Sequence, residues 1–158
     1  MKKCIVLGFI VSLLWFNALA WCDEIAFVGI VKNVAPEALI IRNDLSENAV
    51  IGNKIVVGDL LKTGSDGSMG VILKDDTVIS MGPNTEILIQ TFLFEPAKGD
   101  LSFIARMAKG TISYISGQIT KLAPDSVHLE TPVATIGPRG THFLVQIEKG
   151  KTGLISGE

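Results

Sequence analysis

From Glu24 onward the chain is cut into short apolar runs by Gly, Asp, Asn and Pro, which recur about every ten residues. Helices of ordinary length do not fit between such breaks, so the sequence predicts an all-β fold. The expected strands are Ile25 to Lys32, Ala38 to Arg42, Lys54 to Leu61, Ser68 to Leu73, Thr77 to Met81, Glu86 to Phe94, Leu101 to Met107, Thr111 to Ser116, Ser126 to Glu130 and Thr141 to Glu148. Alternation places Ile25, Phe27 and Val31 on one face of the first strand, and Val145 and Ile147 on one face of the last long one. "TGSDGS", "LKDDTV" and "MGPNTE" supply turn residues between the runs, and "GLISGE" reads as a further strand with a glycine turn. "SFIARMAKG" is too short to compete as a helix in this company. The expected architecture is a compact, antiparallel-rich sheet domain over residues 24–158, either a sandwich or a short β-helix-like stack.

The first twenty residues stand apart. Lys2 and Lys3 precede an apolar run, Cys4 to Phe16, and small residues follow at Ala18-Leu19-Ala20. This is the layout of a cleaved signal peptide over residues 1–20. The apolar run is shorter than the roughly 18 residues a membrane span needs. Leu19-Ala20-Trp21-Cys22 also outlines a lipoprotein site, but Trp21 is bulky where the peptidase expects a small residue. Membrane attachment is therefore expected only if Cys22 is acylated. Once Cys4 has left with the signal, Cys22 is the one remaining cysteine, and no internal disulfide can form.

Without Lys2 and Lys3 the chain carries twelve basic against sixteen acidic residues, a net charge of −4. With no basic stripe and an aromatic fraction of 6%, nucleic acid is not an expected partner. Asp59 and the pair Asp75-Asp76 lack the short regular steps of a calcium loop. His128 and His142 lack the spacing of a zinc site. No metal or other cofactor is expected. Lys62-Thr63-Gly64 and Lys151-Thr152-Gly153 repeat a fragment of the serine β-lactamase set, without the serine and lysine motif that would supply a nucleophile.

Two stretches carry a family pattern. The first is "VGDLLKTGSDGSMGVILKDDTVISMGPNTEILI", with Gly58-Asp59, Thr63-Gly64, Asp75-Asp76 and Gly82-Pro83-Asn84; the second is "LETPVATIGPRGTHFLV", with Thr131-Pro132 and Arg139-Gly140-Thr141. In this order the chain resembles the FecR domain family of bacterial envelope proteins, over about Ile25 to Ile147. It departs from the family's pattern where Asp76 replaces a usual glycine and Pro138 a usual apolar residue. The best-known members relay ferric-siderophore occupancy of an outer-membrane receptor to a sigma factor. Their cytoplasmic helical region and membrane span have no counterpart in this sequence. The resemblance thus implies an exported, non-enzymatic interaction or sensory module, periplasmic or secreted, with an envelope protein or peptide as partner. A structural envelope protein that associates with cell wall or with itself, and a small hydrolase with an unrecognised site, are the alternatives.

The residues expected to matter are Gly58, Asp59, Thr63, Gly64, Asp75, Asp76, Pro132, Gly137, Arg139, Gly140 and Thr141. In "IGPRGT" a type I turn accounts for Pro138 and Gly140 but not for Arg139. A guanidinium there either clamps Asp59, Asp75 or Asp76 from within, or presents its fork to a partner.

Overall fold

The computed structural model describes residues 26–137, 140–148 and 151–156. The strands are β1 (Gly29–Val34), β2 (Ala38–Arg42), β3 (Leu45–Asn48), β4 (Lys54–Ile55), β5 (Leu60–Thr63), β6 (Met69–Leu73), β7 (Val78–Met81), β8 (Glu86–Glu95), β9 (Asp100–Ile115), β10 (Val127–Glu130), β11 (Thr135–Ile136), β12 (His142–Glu148) and β13 (Lys151–Ser156). A single helical turn, α1 (Gln118–Leu122), and a 3-10 turn at Pro124–Ser126 lie between β9 and β10. The fold is all-β and antiparallel, apart from the parallel pairing of β10 with β9.

β9 organises the sheet. Its first half pairs with β8 and β10, and its second half with β7 and β12. Two leaves therefore share one strand. Leaf one runs β4-β1-β6-β7-β9-β12-β13, and leaf two runs β3-β2-β5-β8-β9-β10-β11. The sheet curls so that inward residues of both leaves form one core, including Val71, Ile79 and Ile112 from leaf one and Ile40, Leu61 and Ile89 from leaf two. A ladder of rings crosses it: Phe92 against Phe103 at 6.3 Å, Phe103 against Tyr114 at 6.2 Å, and Tyr114 against Phe143 at 4.7 Å between centroids. Burial lifts the pKa of the Tyr114 phenol.

The sequence predicts two strands where β9 is one, because Gly110 reads as a break. It is a bend. Phe103, Ala105 and Met107 face the core before it and Ile112 and Tyr114 after it, so the alternation slips by one residue. Gly110 takes φ +96°, and the β8 register shifts between Glu86 and Ile87. This is a β-bulge that lets one strand serve two leaves. Thr85 packs against Gly110 so closely that a Cβ would overlap it.

The reverse holds at 54–61, where one strand is expected and β4 and β5 form. Gly58 at φ +93° and the Asp59 carboxylate turn the chain between them. Phe27 also differs from expectation. Val28 faces the core in its place, and Phe27 lies outward beside the Lys54 and Lys74 ammonium groups at 4.9 and 3.9 Å from the ring centre. β1 itself keeps the expected phase, with Val31 buried in the core and a Cβ at Gly29 overlapping Leu73, so the alternation changes just before the strand, between Val28 and Gly29. β3, β11 and α1 are not anticipated from the sequence, whereas the strand read in "GLISGE" belongs to β13.

Candidate functional site

The first group of family-pattern residues gathers at three turns that fasten neighbouring strands. At the β4–β5 turn, Asp59 is 0% exposed. Its Oδ2 accepts the Val56 amide at 2.9 Å, which closes the turn, and a bidentate fork from Arg42 on β2 reaches it with Nε to Oδ1 at 2.7 Å and Nη2 to Oδ2 at 2.8 Å. The same Nη2 donates to the Lys54 carbonyl at 2.9 Å. Gly58 and Ile89 exchange the next link, since the Gly58 amide donates to the Ile89 carbonyl at 2.8 Å and Ile89 donates back to Asp59 at 3.0 Å. The Asp59 hydrogen bond raises the Arg42 pKa. A buried carboxylate so paired is costly to leave alone, and loss of one partner from such a pair costs ~3–5 kcal/mol.

At the second joint two buried threonines do what a sheet ladder cannot do across a bend. Thr63 Oγ1 donates to the Gly82 carbonyl at 2.7 Å and accepts the Thr85 amide at 2.9 Å. Thr85 Oγ1 donates to the Thr111 carbonyl at 3.1 Å and accepts the Thr111 amide at 3.0 Å, just past the Gly110 bend. Gly64 packs on Glu37 without room for a Cβ, and its carbonyl accepts the amide of Asn84, itself at φ +51°.

At the third joint Asp75, 1% exposed, caps α1 from a distance. Its carboxylate accepts the Thr77 hydroxyl at 2.7 Å, the Thr77 amide at 3.2 Å and the Ile119 amide at 3.3 Å. Its carbonyl takes the Gln118 amide at 2.6 Å. Gly117 lies so close to Asp75 and Thr77 that a Cβ would overlap both. Asp76 sits at φ +66°, a backbone that favours glycine, and its carboxylate accepts the Gln118 side-chain amide at 2.8 Å. The family's usual glycine at this place therefore has a conformational reason, and Asp76 tolerates the strain as Asp and Asn do.

The second group lies apart from these joints. Thr131 closes a short turn on Ala134 through its amide at 2.8 Å and its hydroxyl at 2.9 Å, with Pro132 exposed within it. Gly137 and Thr141 are exposed. Gly140, at φ +129°, and Thr141 offer their carbonyls to the Ser116 hydroxyl and amide at 2.7 and 2.8 Å. Arg139 and Pro138 lie outside the described residues. Each carboxylate proposed for Arg139 has its own donors: Arg42 on Asp59, Thr77 and Ile119 on Asp75, and Gln118 on Asp76. No motif marks Arg42 in the sequence; its one signal is a guanidinium closing the apolar run "ALIIR".

Chemically these joints are saturated. Asp59 and Asp75 spend their oxygens on internal donors, which leaves them as cross-links of the fold. His142 Nε2 lies 2.8 Å from Ser113 Oγ on the outer face of leaf one, and His128 stands on β10 opposite Ile104. No three His, Cys, Asp or Glu side chains come together among the described residues. On leaf two, Glu86 holds Lys62 at 2.9 Å and Lys109 at 3.2 Å, and the Lys62 hydrogen bond leads in lowering its pKa. Arg106 and Glu130 pair at 2.8 Å beside a shallow groove formed with Met107, Ala108, Thr131, Pro132 and Thr135.

A family model described as FecR protein matches residues 59–157, more than half of the chain. No curated protein and no solved structure matches.

Proposed function

Because the chain belongs to the FecR protein family, we propose that it works by binding, as a non-enzymatic, exported interaction or sensory module of the bacterial envelope, periplasmic or secreted. What carries the reading is the use made of the family-pattern residues: Asp59, Thr63 and Asp75 are buried and occupied by internal donors. They build a frame, and the recognition surface lies on the outward faces and turns of the leaves. The apolar leader after Lys2 and Lys3 supports export. No helix among the described residues is long and apolar enough to cross a membrane. Site-specific photocrosslinking in the cells that encode the protein tests this proposal, with probes at Ser80 on leaf one and Arg106 on leaf two, both exposed. The expected result is export of the chain and one dominant protein adduct from one of the two positions. Retention in the cytosol, or no adduct from either, overturns it.

A further inference from the structure

Eight large aliphatic side chains stand exposed among the described residues, and three of them lie on turns at the rim of leaf one. Val50 is 54% exposed, Ile51 67% and Val57 46%. They occupy the two turns that flank β4, the two-residue strand at the leaf's edge. Between these turns Lys54 projects outward, opposite Ile30 in the β1 ladder. Lys54 and Lys74 flank the outward ring of Phe27. Among the described residues neither lysine has a carboxylate within ion-pair distance, whereas Lys62, Lys98 and Lys109 each have one.

Two facts decide what such an edge fits. Apolar turn tips with free lysines are the composition of an interfacial membrane contact, in which aliphatic groups enter the headgroup boundary and ammonium groups meet phosphate. A peptide would need either a ladder or a groove. β4 offers only two residues of ladder, and the groove nearby, lined by Val34 to Ala38 with Asn48 and Ala49, does not include Val50 or Ile51. The described residues also begin here, at Ala26. Phe27, at this edge, stands five residues after Cys22 in the sequence.

We propose that the β4 edge, formed by Phe27, Val50, Ile51, Lys54, Val57 and Lys74, rests on an anionic lipid surface and orients the leaves toward their partner. The inference relies on the chain being exported to the envelope, as proposed above. Its lipid contact does not require acylation.

Vesicle co-sedimentation of the exported and processed protein, all arms in a Cys22→Ser background, supplies the test. The probes are vesicles of phosphatidylcholine with about a third phosphatidylglycerol, and vesicles of phosphatidylcholine alone. Binding is expected to the first, and to weaken as salt rises. Lys54→Gln with Lys74→Gln should lower partitioning about 25-fold, at ~1 kcal/mol per lysine. Ile51→Asp with Val57→Asp should lower it at least about tenfold. These side chains are exposed, and unchanged thermal melts establish that every variant folds. Wild-type protein that stays in the supernatant at low salt overturns the inference, as do variants that bind like wild type. Loss of vesicle binding with the photocrosslinked adduct retained defeats this inference alone. Loss of the adduct with vesicle binding retained defeats the partner reading alone.

Discussion

The three turn joints and the β4 edge use polar side chains in opposite ways. At the joints, Asp59, Asp75, Thr63 and Thr85 are buried and every hydrogen bond is spent inside the chain. At the edge, among the described residues, the Lys54 and Lys74 ammonium groups meet the Phe27 ring and have no carboxylate within ion-pair distance. Burial makes a polar group expensive unless it is paired, so the joints are where substitution removes stability. Exposure makes it cheap, so the edge is where substitution removes contact with something else and leaves the fold in place.

The harshest way to press that division is Gly110→Val. It forces a β-branched residue to φ +96° against Thr85, at the bend where one strand passes between leaves. A loss on the order of 3 kcal/mol or more, or failure to recover soluble protein, is expected from urea unfolding. Near-normal stability would mean that the bend is not what joins the leaves. Asp75→Ala comes next. It leaves the Thr77 and Ile119 donors without their acceptor, and ~2–4 kcal/mol should be lost by the same measurement. The molecules that remain folded should partition onto vesicles as wild type does; if they do not, joint and edge are not separate.

Smaller effects sharpen the contrast. Asp76→Gly relieves a left-handed backbone and gives up one exposed hydrogen bond to Gln118. A rise in melting temperature corresponding to under ~1 kcal/mol is expected. A fall would make the Gln118 contact a working part of the third joint. Glu86→Gln tests charge pairing at the surface of leaf two. The pKa of Glu86 is lowered in the fold, so its stabilising effect is present above the ordinary glutamate value of about 4.3 and lost as the pH falls below it. Wild type should exceed the variant by up to ~1 kcal/mol at neutral pH, and the two unfolding curves should converge in acid. A difference that persists in acid would point to packing rather than charge.

The sequence made the turns legible but not their partners. Gly58, Gly64 and the Gly82-Pro83-Asn84 run announce themselves as turn residues, and Gly58 and Asn84 do take the left-handed backbone that few residues meet. Arg42 and Asp59 lie seventeen positions apart, and Thr85 and Thr111 twenty-six. Such pairs exist only once strand register is set, and register is a property of the assembled sheet. The bend in β9 was written in the chain as a change of phase between Met107 and Ile112, yet Lys109-Gly110 reads just as well as a turn. β3, "LSEN", is exposed along its length and carries no apolar alternation, so nothing marks it as a strand before β2 is there to pair with it. Arg139 stands in a motif, whereas the fork on Asp59 comes from Arg42, which no motif marks.

That fork is the most direct place to test whether the family-pattern residues are a frame. A double-mutant cycle of Arg42→Ala and Asp59→Ala, followed by urea unfolding, measures their coupling. The account predicts a loss of ~3–5 kcal/mol for Arg42→Ala, which strands the buried Asp59 carboxylate, a loss of ~1–3 kcal/mol for Asp59→Ala, which strands the Val56 amide, and a coupling of at least ~1 kcal/mol, so that the double variant is less damaged than the two single losses summed. An Asp59→Ala protein as stable as wild type, or single effects that simply add, would contradict it and return Asp59 to the search for a binding site.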